Sequence, residues 1–253
     1  MKILAFFAHP DDETMLCGGT LAALAEQGHA VHILLATRGE GGELGDPPLA
    51  AVEQLGEVRE AEARCAAQAL GSATIDFLPY VDPRIGPDDT LYAYESDFAT
   101  LVSEVAGFIK TYGCDVVLGH GSNGEYGHPA HLLSHAAVKA AVASLPAATR
   151  PILYTVQAAY EGHPKTRVMN KDDAAHLVLD IAPYLEKKIS AALCHTTQHA
   201  LFIRRPSEAA GRRMTVNEIV IGEESLHRVF PPWQEGDQDE LYTTLKFLAK
   251  PIL

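Results

Sequence analysis

The chain has 253 residues, enough for one large hydrophobic core in a single domain. Its 33 acidic residues against 20 basic ones leave a formal charge of −13, which offers a nucleic-acid backbone or an anionic membrane little to bind. Charge enters "MKILAFFAHPDDE" too early for a signal-peptide core, and no run approaches the ~18 apolar residues of a spanning helix, so a cytoplasmic protein without membrane insertion is expected. Residues 2–8 form a continuous apolar run that predicts a strand. A helix over 13–28, a strand over 30–37, a helix over 51–71 and a strand over 74–80 follow, with the Gly-rich loop "RGEGGELGDPP" after the second strand. Further on, a helix over 95–113, a strand over 114–120, a helix over 128–145 and a strand over 151–157 keep the alternation.

Continuous apolar strands separated by helices predict an α/β, Rossmann-like fold: a mostly parallel sheet with helices on both faces. The second half predicts a strand over 176–181, one helix over 182–205 and a strand over 215–222. The apolar tail 242–253 is expected to pack back on the body. With no repeat and no composition break, residues 1–253 read as one domain, of which about 200–253 is the least legible part. Cys17, Cys65, Cys114 and Cys194 stand singly, which suggests neither a zinc knuckle nor a dense disulfide scaffold. Three of them lie in apolar contexts and read as small buried hydrophobes.

Polar clusters follow the first and fourth strands, where open sheets of this kind place ligands. The first, "AHPDDE", carries His9, Asp11, Asp12 and Glu13. A helix start accommodates Pro10 and one acid, but three adjacent carboxylates leaving water repel one another. A cation resolves that conflict, and His9 and Asp12, three apart, can converge on it. The carboxylates also disfavour a phosphate-binding turn, since G-x-G-x-x-G is absent there. "RGEGG" contains Glu40 and reads as a flexible wall of the site or as a plain loop.

The second cluster is "GHGSNGEYGHPAH", where His128 and His131 repeat the spacing of three. One carboxylate and two imidazoles, Asp12 with His9 and His131, suit Zn²⁺ with a further position open. His135 is an alternative ligand or a helix-packing residue, and His120 lines the pocket. Ser122 lacks the G-x-S-x-G context of a nucleophile.

"AHPDDE" with the later "GEYGHPAH" resembles the LmbE-like, or PIG-L-type, zinc-dependent N-deacetylases, which act on N-acetylglucosamine conjugates. "TRGEGGELG" and "CHTTQ" (194–198) extend the likeness over about the first 200 residues. The resemblance implies zinc held by His9, Asp12 and His131, Asp11 as general base toward the attacking water, and His128 as an imidazolium that protonates the departing amine. It further implies that Tyr126 stabilises the oxyanion, and that His195 and Gln198 support the fold beside the site. One position departs: the family usually has "HPDH", with an acid that orients the catalytic histidine, where this chain has Ala130. Asp115 and Glu125 are candidate substitutes.

The expected substrate is an amino-sugar conjugate of small-molecule size, with loops 38–48 and 80–95 supplying hydrogen bonds to its hydroxyls. Arg84, Asp88 and Asp89 lie in the second loop, most of which reads as solvated. The competing readings are an amidase acting on a thiol or sugar conjugate and a non-catalytic binding protein clamped by the metal. Four protein ligands, with His135 added, would favour the latter. No coiled-coil seam or interface stripe indicates an oligomeric state.

Overall fold

The apolar runs of the first half become five parallel strands of a seven-stranded sheet in the computed structural model, which describes residues 1–252. In chain order the elements are β1 (Lys2–Phe7), α1 (Asp12–Glu26), β2 (Ala30–Thr37), α2 (Leu55–Leu70), β3 (Thr74–Tyr80), α3 (Phe98–Tyr112), β4 (Val116–Gly119), the single turn α4 (Gly124–Gly127), α5 (Pro129–Ser144) and β5 (Ile152–Val156). Then come β6 (Ala158–Ala159), β7 (Asn170–Ala174), β8 (Leu177–Asp180), α6 (Leu185–Cys194), α7 (His199–Ala210), α8 (Val216–Ile219), β9 (Glu223–Phe230) and α9 (Glu240–Leu245).

Side chains alternate across β1 and divide the core in two. Ile3, Ala5 and Phe7 pack with Leu21 and Leu24 of α1 and Ala63 and Leu70 of α2. Leu4 and Phe6 pack with Leu101 and Val105 of α3 and Val138 of α5. The sheet order is β3-β2-β1-β4-β5-β9-β8, and β9 runs antiparallel to both its neighbours. The winding reverses between β1 and β4, the switch point where such sheets bind ligands. Phe6 there pairs in register with Gly119, so the loops that follow the two strands emerge side by side.

Helix α1 is interrupted at Cys17 (φ −149°, ψ 22°). The backbone N–H groups of Gly19 and Thr20 donate to Glu224 of β9 at 2.8 and 2.7 Å, and Lys188 of α6 pairs with the same carboxylate at 2.7 Å. Both ions are buried. Gly19 is obligatory because a Cβ would meet Ile181 at 2.7 Å.

Several expectations are corrected. Residues 215–222 are not a strand: Thr215 and Glu218 form a capping box that starts α8, and the strand begins at Glu223. The helix expected over 182–205 breaks at a 3₁₀ turn, Thr196–Gln198. Glu62 of α2 accepts from Thr196 Oγ1, Thr197 N and Thr197 Oγ1 at 2.6–2.8 Å, which takes the Thr197 N–H out of the helical ladder. The short β6 and β7 carry no apolar alternation that would announce them. Cys65 and Cys194, 129 residues apart in sequence, form a disulfide between α2 and the end of α6, whereas Cys17 and Cys114 are buried free thiols. Such a pairing is made by tertiary packing and leaves no trace in spacing. The tail does return to the body, through Leu241, Leu245 and Leu248 in the first core; Leu253 lies outside the described residues. Among the described residues no helix is long and apolar enough to cross a membrane.

Candidate metal centre

Between β1 and α1 the backbone passes through the left-handed region at Asp11 (φ 93°), a conformation uncommon for a residue with a Cβ. Its three adjacent acids have separate partners. Asp12 is buried among imidazoles: Oδ2 lies 3.2 Å from His9 Nδ1 and 3.5 Å from His120 Nε2, and Oδ1 lies 3.4 Å from His131 Nε2. Glu13 accepts from Asp11 N at 3.1 Å and from Thr14 Oγ1 at 2.7 Å, with His195 Nε2 3.5 Å away. Asp11 Oδ2 faces Arg59 Nη2 of α2 at 3.0 Å.

Arg59 also explains the Gly-rich loop. Its guanidinium donates to Gly39 O at 2.8 Å and to Pro10 O at 2.6 Å. A Cβ on Gly39 or Gly42 would meet Nη1 at 2.0 or 2.5 Å, and one on Gly41 would meet Pro83 O at 2.2 Å. The loop is thus a packed cradle and not a flexible wall. Gln198 joins it too, donating to Glu43 O at 2.8 Å, in line with the supporting place expected for it.

The second loop is built on Asn170 of β7. Its amide accepts from the backbone of Asn123 and Glu125, donates to Val156 O and Glu125 Oε1, and approaches so closely that a Cβ on Gly121 would lie 2.0 Å from it. Ser122 Oγ donates to Asp173 at 2.6 Å and is no nucleophile. His128 caps α5, its Nδ1 accepting from Ala130 N at 3.2 Å. That bond leaves the ring hydrogen of the neutral form on Nε2. His135 donates to His120 O at 2.9 Å, so that nitrogen is committed to the backbone. Tyr126 is about half exposed (48%), its ring 5.7 Å from that of His128. Asp115 is remote, accepting from Lys2 N at the opposite end of β1, and Glu125 contacts His120 and His131 instead of His128.

The predicted residues His9, Asp11, Asp12, Tyr126, His128 and His131 therefore come together. Donor atoms of His9, His128 and His131 lie within 4.8 Å of one another, as do those of Asp12, His120 and His131. His120 Nε2 is engaged by Ala8 N at 3.0 Å and His128 Nδ1 by Ala130 N, whereas His9 Nε2 is buried with Asp82 Oδ1 3.2 Å away but not aligned for a hydrogen bond. The electrostatics call for positive charge. Burial alone would lower the His9 pKa, yet Asp82 and Asp12 carry it up to about 10. Burial opposes ionisation of Asp12, but His131 and His120 hold its carboxyl well below the usual range. A divalent cation fits this set of one carboxylate and several imidazoles. Burial pushes Asp11 up to about 7 against the opposing Arg59, and burial with His131 and His9 pushes His128 down to about 3.

Sequence reasoning missed three participants. Asp82, which ends the loop entry after β3, lies 3.2 Å from His9 Nε2 and could have been found by extending the strand-end rule to the third strand. Arg59 and Glu62 are buried on the face of α2 that also carries Leu55, Ala63 and Ala66, and charge on an inward face was the available signal. Asp82 also lines a cavity of about 490 Å³ shared with Arg38, Glu40, Glu53, Glu57 and Arg84, where the loops after β2 and β3 meet the start of α2.

Comparison with known proteins adds a family match: the model described as PIG-L, GlcNAc-PI de-N-acetylase, aligns with residues 4–142. A 1D-myo-inositol 2-acetamido-2-deoxy-alpha-D-glucopyranoside deacetylase of Rhodococcus erythropolis is 39% identical over 163 residues, 59% of this chain and 55% of the relative. The enzyme of that name from Thermobifida fusca is 31% identical over 240 residues, 79% and 84% of the two chains. The chain thus spans little more than half of the Rhodococcus relative's length. Two solved structures share the fold: the 4-carboxy-2-hydroxymuconate hydratase of Pseudomonas putida (22% identity, TM-score 0.62, 94% of this chain and 99% of that one) and the N,N'-diacetylchitobiose deacetylase of Pyrococcus horikoshii (19%, 0.61, 90% and 83%).

Proposed function

The chain belongs to the PIG-L family, and we propose that it is a zinc-dependent hydrolase that removes acetyl from an N-acetylated amino sugar or sugar conjugate. The observation that carries this reading is a carboxylate, Asp11, held by Arg59 immediately beside the donors His9, Asp12 and His131 and not among them. We assign these three as the metal ligands. A divalent ion bound there supplies Lewis acidity to the amide carbonyl and to the attacking water.

Asp11 accepts the water proton, and Arg59 keeps the carboxylate ionised and oriented for it. His128, with Nδ1 occupied by the Ala130 N–H, acts as a neutral donor through Nε2–H toward the growing oxyanion, and Tyr126 supports the same charge. This differs from the imidazolium role that the resemblance implies. Asp11, protonated in the first step, then returns that proton to the departing amine. The cavity beyond Asp82 joins acceptors with guanidinium donors, which supports a hydroxyl-rich substrate. His135 belongs to neither group of donor atoms that lie within 4.8 Å of one another, so it is not the fourth ligand on which a purely structural metal would draw. The partner we propose is a small molecule.

The test is a zinc-replete screen of N-acetylated amino sugars and their conjugates that reads free amine, with Asp11→Asn as control. Acetate release that Asp11→Asn abolishes while retaining zinc is expected. Stoichiometric zinc with no turnover on any member, or near-normal turnover by the variant, would refute the assignment. Cleavage of a thiol conjugate at a different amide would move the reading to an amidase.

A further inference from the structure

We propose that Glu125 is the positioning residue of the metal centre: one oxygen of its buried carboxylate sets both His131, a ligand, and His120, the strut that holds the backbone next to His9. The inference rests on the metal reading above. Glu125 Oε2 lies 2.6 Å from His131 Nδ1 and 2.9 Å from His120 Nδ1. An ionised carboxylate only accepts, so both rings carry a hydrogen on Nδ1. For His131 this leaves Nε2 as a lone pair 3.4 Å from Asp12 Oδ1. For His120 it leaves Nε2 to accept from Ala8 N at 3.0 Å, one residue before His9. The two rings stack with centroids 3.9 Å apart.

The carboxylate itself cannot turn. Its Oε1 accepts from Gly121 N and from Asn170 Nδ2, both at 3.1 Å. Its backbone stands at φ 57°, ψ −79°, which costs on the order of 1–3 kcal/mol and persists only where the surroundings over-determine it. Glu125 is 4% exposed and Ala130 fully buried, packed among Leu4, Phe6 and Val138. Ala130, between His128 and His131, brings His128 no carboxylate. The orienting carboxylate of this chain enters five residues earlier in sequence and serves a metal ligand instead of the group facing the substrate.

Glu125→Gln keeps the side-chain size and removes the charge and one acceptor; Glu125→Asp keeps the charge and shortens the arm. Zinc affinity is measured by competition with a chromophoric chelator, and ligand geometry by the visible spectrum of the cobalt-substituted protein. Loss of about 10- to 100-fold in zinc affinity, with shifted cobalt bands, is expected for Glu125→Gln. Should that variant fail to fold, Glu125→Asp gives the same two readings, with the same expectation. Wild-type affinity and unchanged cobalt bands in the folded variant would overturn the role of Glu125. A wild-type protein that takes up no zinc would overturn the metal reading itself, a result distinct from any obtained with the variants.

Discussion

Replacing Arg59 by Met separates the support of the general base from the support of the metal. The side chain is 4% exposed, and its guanidinium makes three contacts: Gly39 O at 2.8 Å, Pro10 O at 2.6 Å and Asp11 Oδ2 at 3.0 Å. Methionine fills the stem but donates nothing. Two carbonyls lose a buried partner at about 1–3 kcal/mol each, and removal of one member of a buried ion pair costs about 3–5 kcal/mol. These add to about 5–11 kcal/mol; water entering the cradle and protonation of the unpaired Asp11 offset roughly half, which leaves a net loss of about 4 kcal/mol. At roughly 2–4 °C per kcal/mol for a chain of this size, the midpoint should fall by about 8–16 °C. Arg59→Lys should lose about half as much, because a point donor cannot span three acceptors. Scanning calorimetry at saturating zinc reads the stability, and zinc titration with an amide-cleavage assay reads the function. None of the three contacts is to a side chain of His9, Asp12 or His131. Turnover should accordingly fall by about 10² or more while zinc affinity stays within about threefold. A Met variant of wild-type stability, or one whose zinc affinity falls in step with turnover, would refute this reasoning.

Chelation should lower the unfolding midpoint and added zinc restore it, by about 2.7 kcal/mol when free zinc stands at about 100 times its dissociation constant; an unmoved midpoint would count against the centre. Reduction of Cys65–Cys194, or its replacement by serines, should cost about 2–4 kcal/mol in urea denaturation, since the bridge closes a loop of 129 residues, and coincident curves with and without reductant would exclude the bridge as a stabiliser. Glu224→Gln should cost about 3–5 kcal/mol by stranding buried Lys188 and leaving one of Gly19 N and Thr20 N without its acceptor, and the further change Lys188→Met should recover part of that loss. A double variant no more stable than the single one would argue against the pairing.

Strands β1, β2, β4 and β5 could be read from the sequence because parallel strands covered on both faces are largely apolar, and Ile3–Phe7 and Val116–Leu118 are fully buried. The half-buried edge strand β3 was legible from Ile75, Phe77 and Leu78. What could not be read depended on partners distant in the chain. The 3₁₀ turn at Thr196–Gln198 exists because Glu62, 134 residues earlier, captures Thr196 Oγ1. "TVNEIVIG" alternates well enough to pass for a strand, but Thr215 and Glu218 close a local capping box before the sheet can recruit it. A short-range hydrogen-bonded cap won over a weak period-two pattern.

At the centre, the residue types were legible from spacing, while their division of labour came only from the resemblance. Three neighbouring acids in "HPDDE" pointed to a cation, but adjacency alone did not set Asp11 apart from Asp12. The physical basis for the proposed separation is Arg59, which reaches Asp11 from α2, and the left-handed turn at Asp11. The same holds for the missing acid at position 130. Judged from the motif alone, its loss weakens the histidine at 128; in the folded chain, a carboxylate from position 125 reaches His131 because the loop bends back at Glu125 around Asn170. The orienting carboxylate of this chain thus serves the metal-holding side of the centre. The variant that most weakens zinc binding without touching a ligand should therefore be at 125, and, beyond the general base Asp11 itself, the variant that most weakens turnover without touching zinc should be at 59.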